Sequence, residues 1–128
     1  MDIRAQNHLE AAERHRAIAQ ELCFNPPEKI NPAPSEWVIT CVFYSAVHYV
    51  TAYFFEKDGS SPTNHIERSA LMAKKPELDP IIDAYNDLSD WSRTARYNSS
   101  PRLDHRIQPA FDRLDDIAST IKQLLNVK

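Results

Sequence analysis

The sequence contains a single glycine, Gly59, among 128 residues. Tight β-hairpin turns commonly need glycine where φ is positive, so a β-rich fold of this length would require several. The nine prolines fall between apolar runs, where they can end one helix or start the next. We therefore predict an all-α fold without strands.

Length and composition fit one ordinary globular domain. The chain is 42% hydrophobic and 26% charged, which is too apolar for a disordered protein. Because 128 residues is a common size for one hydrophobic core, we predict a single domain over residues 1–128. The formal net charge of −3 argues against binding nucleic acid over the whole surface, but it leaves room for a local basic patch.

Apolar residues three and four positions apart predict four long helices and one short helix. Ser35 is a natural N-cap for the second helix, and Thr63 or Asn64 for the third. Pro109 fits the first turn of the last helix, unless that helix starts near Asp104, in which case Pro109 would kink it. Short connections between long helices favour an antiparallel bundle. The predicted helices cover residues 2–24, 36–57, 65–75 and 78–97, and the last one ends near residue 125.

The second predicted helix contains nineteen residues without a formal charge, Trp37–Phe55, and so approaches the length of a membrane span. Polar residues interrupt it, and no cluster of Lys or Arg flanks it. We interpret it as the central helix of a bundle and expect no membrane association.

The chain starts with charged, helix-forming residues, and Cys23 and Cys41 lie in apolar helical patterns. We therefore expect a cytoplasmic protein with reduced thiols.

One stripe of the second helix is polar. Thr40, Tyr44, His48 and Thr51 follow one another at steps of four, four and three, so they share a face. Polar groups on a buried helix require hydrogen-bonding partners. Two interpretations stay open. Tyr44 and His48 line a ligand-binding cleft, or they are hydrogen-bonded residues of the core or of a dimer contact.

A basic and aromatic segment, Trp91–Arg106, follows the acidic first half of the fourth helix. Such mixtures suit phosphate contact and base stacking, which predicts binding of RNA or a nucleotide. The alternative is that bases late in a helix only complement the helix dipole, with Arg96 paired to a carboxylate. The segment contains Arg93, Arg96, Arg102 and Arg106, together with Trp91, Tyr97 and His105, against Asp104 as the only acidic residue.

The histidines do not form a metal-binding pattern. None of the five belongs to a Glu-x-x-His pair of the kind that holds metals in helical bundles. No serine or cysteine forms a recognisable arrangement with a base, and one glycine cannot build a phosphate-cradling loop. We therefore expect no metal and no cofactor.

Several short segments resemble, in order, elements of the HEPN superfamily of helical domains. Phe43–His48 resembles the aromatic-Tyr-x-Ala element of the second HEPN helix. Pro62–Arg68 resembles the histidine-led start of the short helix that follows. Ala84–Leu88 and Arg93–Tyr97 are similar to the Tyr-x-x-Leu and Arg-x-x-Ala-x-Tyr patterns of the next helix, and Ala118–Leu125 fits the last one.

This resemblance implies a helical bundle that dimerises and serves in a toxin–antitoxin, defence or RNA-processing setting. The ribonucleases of the superfamily carry an Arg followed by four to six residues and then a His. Here eight residues separate Arg96 from His105, and two separate Arg102 from His105. The resemblance therefore supports the fold without carrying over the activity.

Three functions follow from these features. The leading one is a non-catalytic HEPN-like homodimer that binds RNA, a nucleotide or a partner protein. The second is a metal-independent ribonuclease in which Arg96 or Arg102 stabilises the phosphate and His105 transfers a proton. The third is a structural or assembly module without a ligand. The predicted ligand-binding residues are Tyr44, His48, Arg93, Arg96, Tyr97 and Arg102.

Overall fold

The computed structural model describes residues 1–30, 34–97 and 102–128. All regular secondary structure in these residues is helical and none is strand, which confirms the predicted all-α class. The five α-helices are α1 (Ile3–Phe24), α2 (Ser35–Asp58), α3 (His65–Met72), α4 (Asp79–Tyr97) and α5 (Ile107–Leu124). Short 3₁₀ turns occupy Glu28–Ile30, Pro76–Leu78 and Asp104–Arg106.

Local side-chain chemistry fixes several helix ends. The Asp2 side chain accepts a hydrogen bond from the backbone N–H of Arg4 and caps α1. Gly59 ends α2 with a φ of 74°, a left-handed conformation that costs glycine little. Asn64 caps α3 by accepting from the backbone N–H of Glu67, as one of the two predicted candidates. The only glycine therefore stands where the backbone requires one.

The third helix ends earlier than predicted, at Met72 instead of residue 75. The N–H groups of Lys74 and Lys75 bond to carbonyls only three residues back, so the chain tightens into turns. Lys75 itself is extended, with φ −111° and ψ 98°, because the following Pro76 disfavours helical geometry at the preceding residue.

Ser35 does not cap α2 as predicted. Pro34 occupies the cap position, and Ser35 is the first residue of the helix. The buried Ser35 hydroxyl instead accepts a hydrogen bond of 3.0 Å from the backbone N–H of Leu103. A tertiary contact to the segment before α5 has therefore taken the place of a local cap.

The last helix begins at Ile107, which places Pro109 in its first turn. Proline fits there because its missing N–H would have no helical partner in any case. The alternative start near Asp104 is wrong, since Asp104–Arg106 forms a separate 3₁₀ turn.

The core is built around α2, which packs against α1, α4 and α5. Buried side chains from all four helices form one hydrophobic cluster. The contact of α1 with this cluster uses small residues, since Ala5, Ala12 and Ala19 have no exposed surface. A helix surrounded in this way is apolar nearly all round, which explains the uncharged stretch of α2 over residues 37–55.

By length and composition, α2 is also the one described helix that is apolar enough to cross a membrane. In the fold, 72% of its most apolar window is buried against the rest of the protein. Burial of this extent is typical of a core helix.

Candidate functional site

A cleft of about 360 Å³ lies where α2, the start of α3 and α4 meet. Three arginines and a histidine line it, and no acidic residue is found among its described lining residues. Positive charges gathered on low-dielectric walls raise the local potential, so this arginine cleft attracts anions. α2 contributes Phe43, Tyr44 and Val47, α3 contributes His65 and Arg68, and α4 contributes Ser89, Arg93, Arg96 and Tyr97.

Arg68 differs from the other two arginines because its side chain is buried. Only 8% of the residue is exposed, whereas arginine is seldom buried without a charged partner. Within the described part of the chain, no carboxylate forms an ion pair with it. Its Nη1 donates one long hydrogen bond of 3.4 Å to the Tyr85 hydroxyl, and its Nε has no partner among the described residues. The guanidinium therefore carries a buried positive charge that no carboxylate in the described structure compensates and that an anion in the cleft would compensate.

His65 lies beside Arg68 in a short chain of hydrogen bonds. Its Nε2 is 3.0 Å from the Ser89 Oγ, and its Nδ1 is 3.4 Å from the Tyr85 hydroxyl. Arg68 can only donate to the Tyr85 oxygen, so the Tyr85 proton is available to Nδ1. In that tautomer a neutral His65 carries its own proton on Nε2 and donates it to Ser89, and in the other tautomer Nδ1 donates to Tyr85 while Nε2 accepts from Ser89.

The surroundings favour this neutral form of His65. Burial is the largest cause that lowers its pKa, and the charges of Arg68, Arg93 and Arg96 lower it further against the opposing charge of Asp90. At neutral pH the positive charge of the cleft therefore comes from the arginines. The neutral imidazole is also the form that can accept a proton from a ligand.

Arg96 joins α4 to α2 at the mouth of the cleft. Its Nη1 donates to the Tyr44 hydroxyl at 3.1 Å, and its Nε donates to the Ser92 carbonyl at 3.3 Å. Its guanidinium carbon also lies 5.4 Å from the ring centre of Tyr97. None of these contacts is the carboxylate that was the alternative partner for Arg96. The positive charge of Arg96 therefore stays available at the surface. The arginine cleft thus brings together four of the six predicted binding residues, namely Tyr44, Arg93, Arg96 and Tyr97.

His48 lies elsewhere, on the side of α2 that faces α1. Its Nδ1 is 2.8 Å from Nδ1 of His8, and its ring centre is 4.8 Å from that of His15. The His15 Nδ1 in turn bonds to the Ala11 carbonyl, and the His8 ring stacks on Phe55. Burial and the two neighbouring histidines lower the pKa of His48 to about 4. The polar stripe is therefore divided, with Tyr44 at the cleft and His48 in a histidine cluster.

Arg102 and His105 do not line the arginine cleft. Arg102 forms an exposed bidentate pair with Asp104, with both N–O distances 3.1 Å. His105 is exposed in the 3₁₀ turn before α5. The basic and aromatic segment also includes residues 98–101, which lie outside the described residues. The guanidinium of Arg106 lies over the Trp91 ring, 4.8 Å from its centre, away from the cleft.

Three cleft residues escaped the sequence interpretation, namely His65, Arg68 and Ser89. A weak signal for them exists in the spacing. His65 and Arg68 are three positions apart and share a face of α3, while Ser89, Arg93 and Arg96 follow at steps of four and three along α4. Two short basic or polar stripes on helices joined by a brief connection indicate one surface, provided that the two helices face each other.

Comparison with protein-family models, with curated proteins and with solved structures finds no match in any of the three. The HEPN resemblance therefore stays a prediction, and the geometry of the arginine cleft is the main guide to function.

Proposed function

We propose that this protein binds RNA and that a backbone phosphate occupies the arginine cleft. The observation that carries the proposal is the buried guanidinium of Arg68, whose Nε has no partner among the described residues. A phosphate supplies acceptor oxygens that a planar guanidinium meets with two parallel hydrogen bonds. Arg93 and Arg96 are exposed on the same cleft and reach such a phosphate without giving up an ion pair in the described structure.

The surroundings of the cleft favour a nucleotide over a small inorganic anion. Tyr97 is 75% exposed and Tyr44 is 38% exposed, and both rings lie close to the Arg96 guanidinium. Exposed aromatic faces next to phosphate-binding arginines are typical of proteins that bind single-stranded nucleic acid. The net charge of −3 agrees with one local site better than with an extended basic surface.

The test is fluorescence anisotropy with a short labelled single-stranded RNA at low and at moderate salt. In the double variant Arg93→Ala and Arg96→Ala, we expect affinity to fall about tenfold to a hundredfold, since each lost contact is a charge-assisted hydrogen bond. The salt dependence should also weaken, because fewer counterions are released. The matched control removes two positive charges from exposed sites outside the cleft, Arg14→Ala with Lys74→Ala.

Equal losses of affinity in the two double variants would contradict a site at this cleft and point to a charge effect alone. No binding of RNA by the wild-type protein would overturn the proposal and favour a structural module or a protein partner.

A second function, RNA cleavage, is favoured by one observation. The Nε2 of His65 is 3.0 Å from the Ser89 Oγ inside the same cleft, and the lowered pKa of His65 leaves its imidazole neutral at pH 7. When the His65 proton lies on Nδ1, toward Tyr85, the free Nε2 can accept a proton from a ribose hydroxyl that takes the place of Ser89. Arg93 and Arg96 would then stabilise the charge on the phosphate. His65 takes the role that the sequence interpretation gave to His105. Cleavage of a labelled RNA that stops in His65→Ala and continues in His105→Ala would support this function, and cleavage in both variants would contradict it.

We also propose the finer fold, an antiparallel HEPN-like bundle that forms a homodimer, with a cytoplasmic role in toxin–antitoxin or defence systems. The order of the resembling segments supports it, and so does the meeting of His65, Arg93 and Arg96 at one cleft. Light scattering tests the dimer, since a mass of one chain, 14.7 kDa, at micromolar concentration would contradict it.

A further inference from the structure

A second cleft, also of about 360 Å³, opens next to the arginine cleft. Arg96 and Tyr97 line both of them, so a ligand can extend from one into the other past a single guanidinium. The second cleft has a different chemistry, because Arg96 is the only cation among its described lining residues and a carboxylate is present. Its lining comprises Glu36, Trp37, Thr40, Ala95, Arg96 and Tyr97.

Two large aromatic side chains are exposed at this second cleft. Trp37, in the first turn of α2, is 59% exposed, and Tyr97 ends α4 on the other side. Leaving an indole in water forgoes the free energy that its burial would give. Aromatic faces beside a phosphate site are where bases stack, whatever the base, because every base has a π-face.

The carboxylate of Glu36 gives this cleft a polar group for recognition. Within the described part of the chain, its side chain forms no salt bridge and no hydrogen bond, and it lies in the first turn of α2. A charged carboxylate repels a second phosphate and accepts hydrogen bonds from N–H groups. The ligand part that enters this cleft must therefore be flat, uncharged and rich in donors.

Guanine fits this requirement better than the other bases. Its Watson–Crick edge carries two adjacent donors, N1–H and the N2 amino group, which meet both oxygens of one carboxylate. Adenine and cytosine place an acceptor nitrogen next to their amino group, and uracil places its single N–H between two carbonyls. Each of these would bring a lone pair against the Glu36 carboxylate.

We infer that the second cleft holds a guanine base of the same nucleotide unit whose phosphate lies in the arginine cleft. Trp37 and Tyr97 stack on the base, and Glu36 selects it by a bidentate hydrogen bond. This inference rests on the proposed function, since the phosphate contact positions the base. Either a free guanine nucleotide or a guanine in single-stranded RNA supplies the same chemistry.

The experiment compares two labelled ten-nucleotide RNAs, one all uridine and one with a single central guanosine. We expect the guanosine to raise affinity about tenfold, since a good bidentate base contact discriminates by at least that factor. Pairing the same RNA with its complement should weaken binding, because the duplex hides the base edge. Competition by guanosine monophosphate, and not by uridine monophosphate, would assign the site to a free nucleotide, while failure of both to compete would assign it to RNA.

Two variants separate stacking from base selection. Trp37→Ala should lower the affinity for both RNAs by about tenfold, the usual effect of losing one stacking partner. Glu36→Gln should bring the two affinities to within about twofold of each other, because one oxygen can no longer accept. The matched controls, Phe24→Ala and Glu21→Gln, change exposed residues of α1 and should leave both affinities unchanged.

The outcomes distinguish this inference from the proposed function. Equal affinity of the wild-type protein for the two RNAs would overturn the inference whether or not the variants fold. If the two RNAs bound equally well but the double variant of Arg93 and Arg96 lost affinity for them, the phosphate site would be supported and the guanine site would not. If wild-type protein bound neither RNA, the proposed function and the inference would both fail.

Discussion

The two sides of α2 differ in whether their buried polar groups have hydrogen-bonding partners. Toward α1, His48 contacts His8, and the buried hydroxyl of Ser45 donates to the Ala12 carbonyl at 2.7 Å. Toward α3 and α4, buried polar atoms lack partners among the described residues, namely Arg68 Nε, Ser69 Oγ and Ser92 Oγ. Native proteins rarely leave such groups without hydrogen bonds, so their concentration on one side calls for an explanation.

The difference between the two sides separates a structural contact from a binding site. On the α1 side, polar groups satisfy one another, and lowered pKa values keep His8 and His48 uncharged at neutral pH, which is how an interior is stabilised. On the other side, Arg68, Arg93 and Arg96 gather without an ion pair in the described structure, which costs stability and is useful when a ligand compensates for it. Proteins commonly give up stability at the sites where they function.

The largest expected effect is that of replacing Arg68, whose buried charge distinguishes the side of α2 that faces α3 and α4. Arg68→Met keeps the length of the side chain and removes the buried charge. We expect RNA affinity to fall about a hundredfold, because the buried guanidinium of the cleft is lost. The melting temperature should stay the same or rise, since an apolar side chain of similar volume no longer needs a charged partner.

Anisotropy and thermal unfolding of one preparation measure both quantities for Arg68→Met. The control is Arg102→Met, which breaks an exposed pair with Asp104 outside the cleft and should change affinity by less than about twofold. A clear fall in the melting temperature of Arg68→Met with RNA affinity intact would assign Arg68 to the fold and remove the contrast between the two sides.

The next effect concerns acid and the α1 side. The folded state lowers the pKa of His8 and lowers that of His48 to about 4, and it also lowers the pKa of His65 in the arginine cleft, so the unfolded chain binds more protons as pH falls below about 6.5. Stability should therefore be highest above that value and should decrease toward pH 4. Arg14 adds positive charge near His48, and so does Arg68 from the other side of α2. Melting temperatures between pH 7 and pH 5 measure the decrease.

His48→Gln should make this acid decrease shallower, because glutamine keeps a hydrogen-bonding group and does not titrate, while His8 and His65 still contribute. His105→Gln, at an exposed position, should leave the decrease as it is in the wild-type protein. An equally steep decrease in His48→Gln would show that other groups control the response to acid.

The smallest effect compares two buried serines. Ser45→Ala removes a hydrogen bond to α1 and should lower the free energy of unfolding by about 1 kcal/mol. Ser92→Ala removes a hydroxyl that has no partner among the described residues, so it should be neutral or slightly stabilising. Urea unfolding of both variants measures the difference. Equal losses would mean that Ser92 is satisfied as well as Ser45, and that the two sides of α2 do not differ.

Most of the secondary structure could be predicted because its signals are local. The spacing of apolar residues located the helices. Gly59 ends α2 by its own backbone conformation, and Asn64 caps α3 by a hydrogen bond to a residue only three positions away. The two errors have different causes. Ser35 bonds to Leu103, which is distant in sequence, so no local signal shows it. The end of α3 was placed three residues too late, because the turns that follow Met72 tighten before the extended residue Lys75.

The candidate site was predicted in part for the same reason. Tyr44, Arg93, Arg96 and Tyr97 stood out because they lie on long, regular helices, where spacing defines a face. Arg68 was missed because its importance comes from burial, which depends on how the short α3 packs. The polar stripe of α2 could not reveal that one helical turn separates Tyr44, at an open cleft, from His48, inside a histidine cluster.

The most direct measurement is a titration of the protein with the guanosine-containing RNA, followed by NMR at the arginine side-chain Nε–H signals. The Arg68 signal is assigned by its loss in Arg68→Met. We predict that this signal shifts strongly and saturates with the RNA, while the imidazole signals of His8 and His48 stay in place. An Arg68 signal that does not move while RNA binds would contradict the claim that its buried guanidinium holds the phosphate.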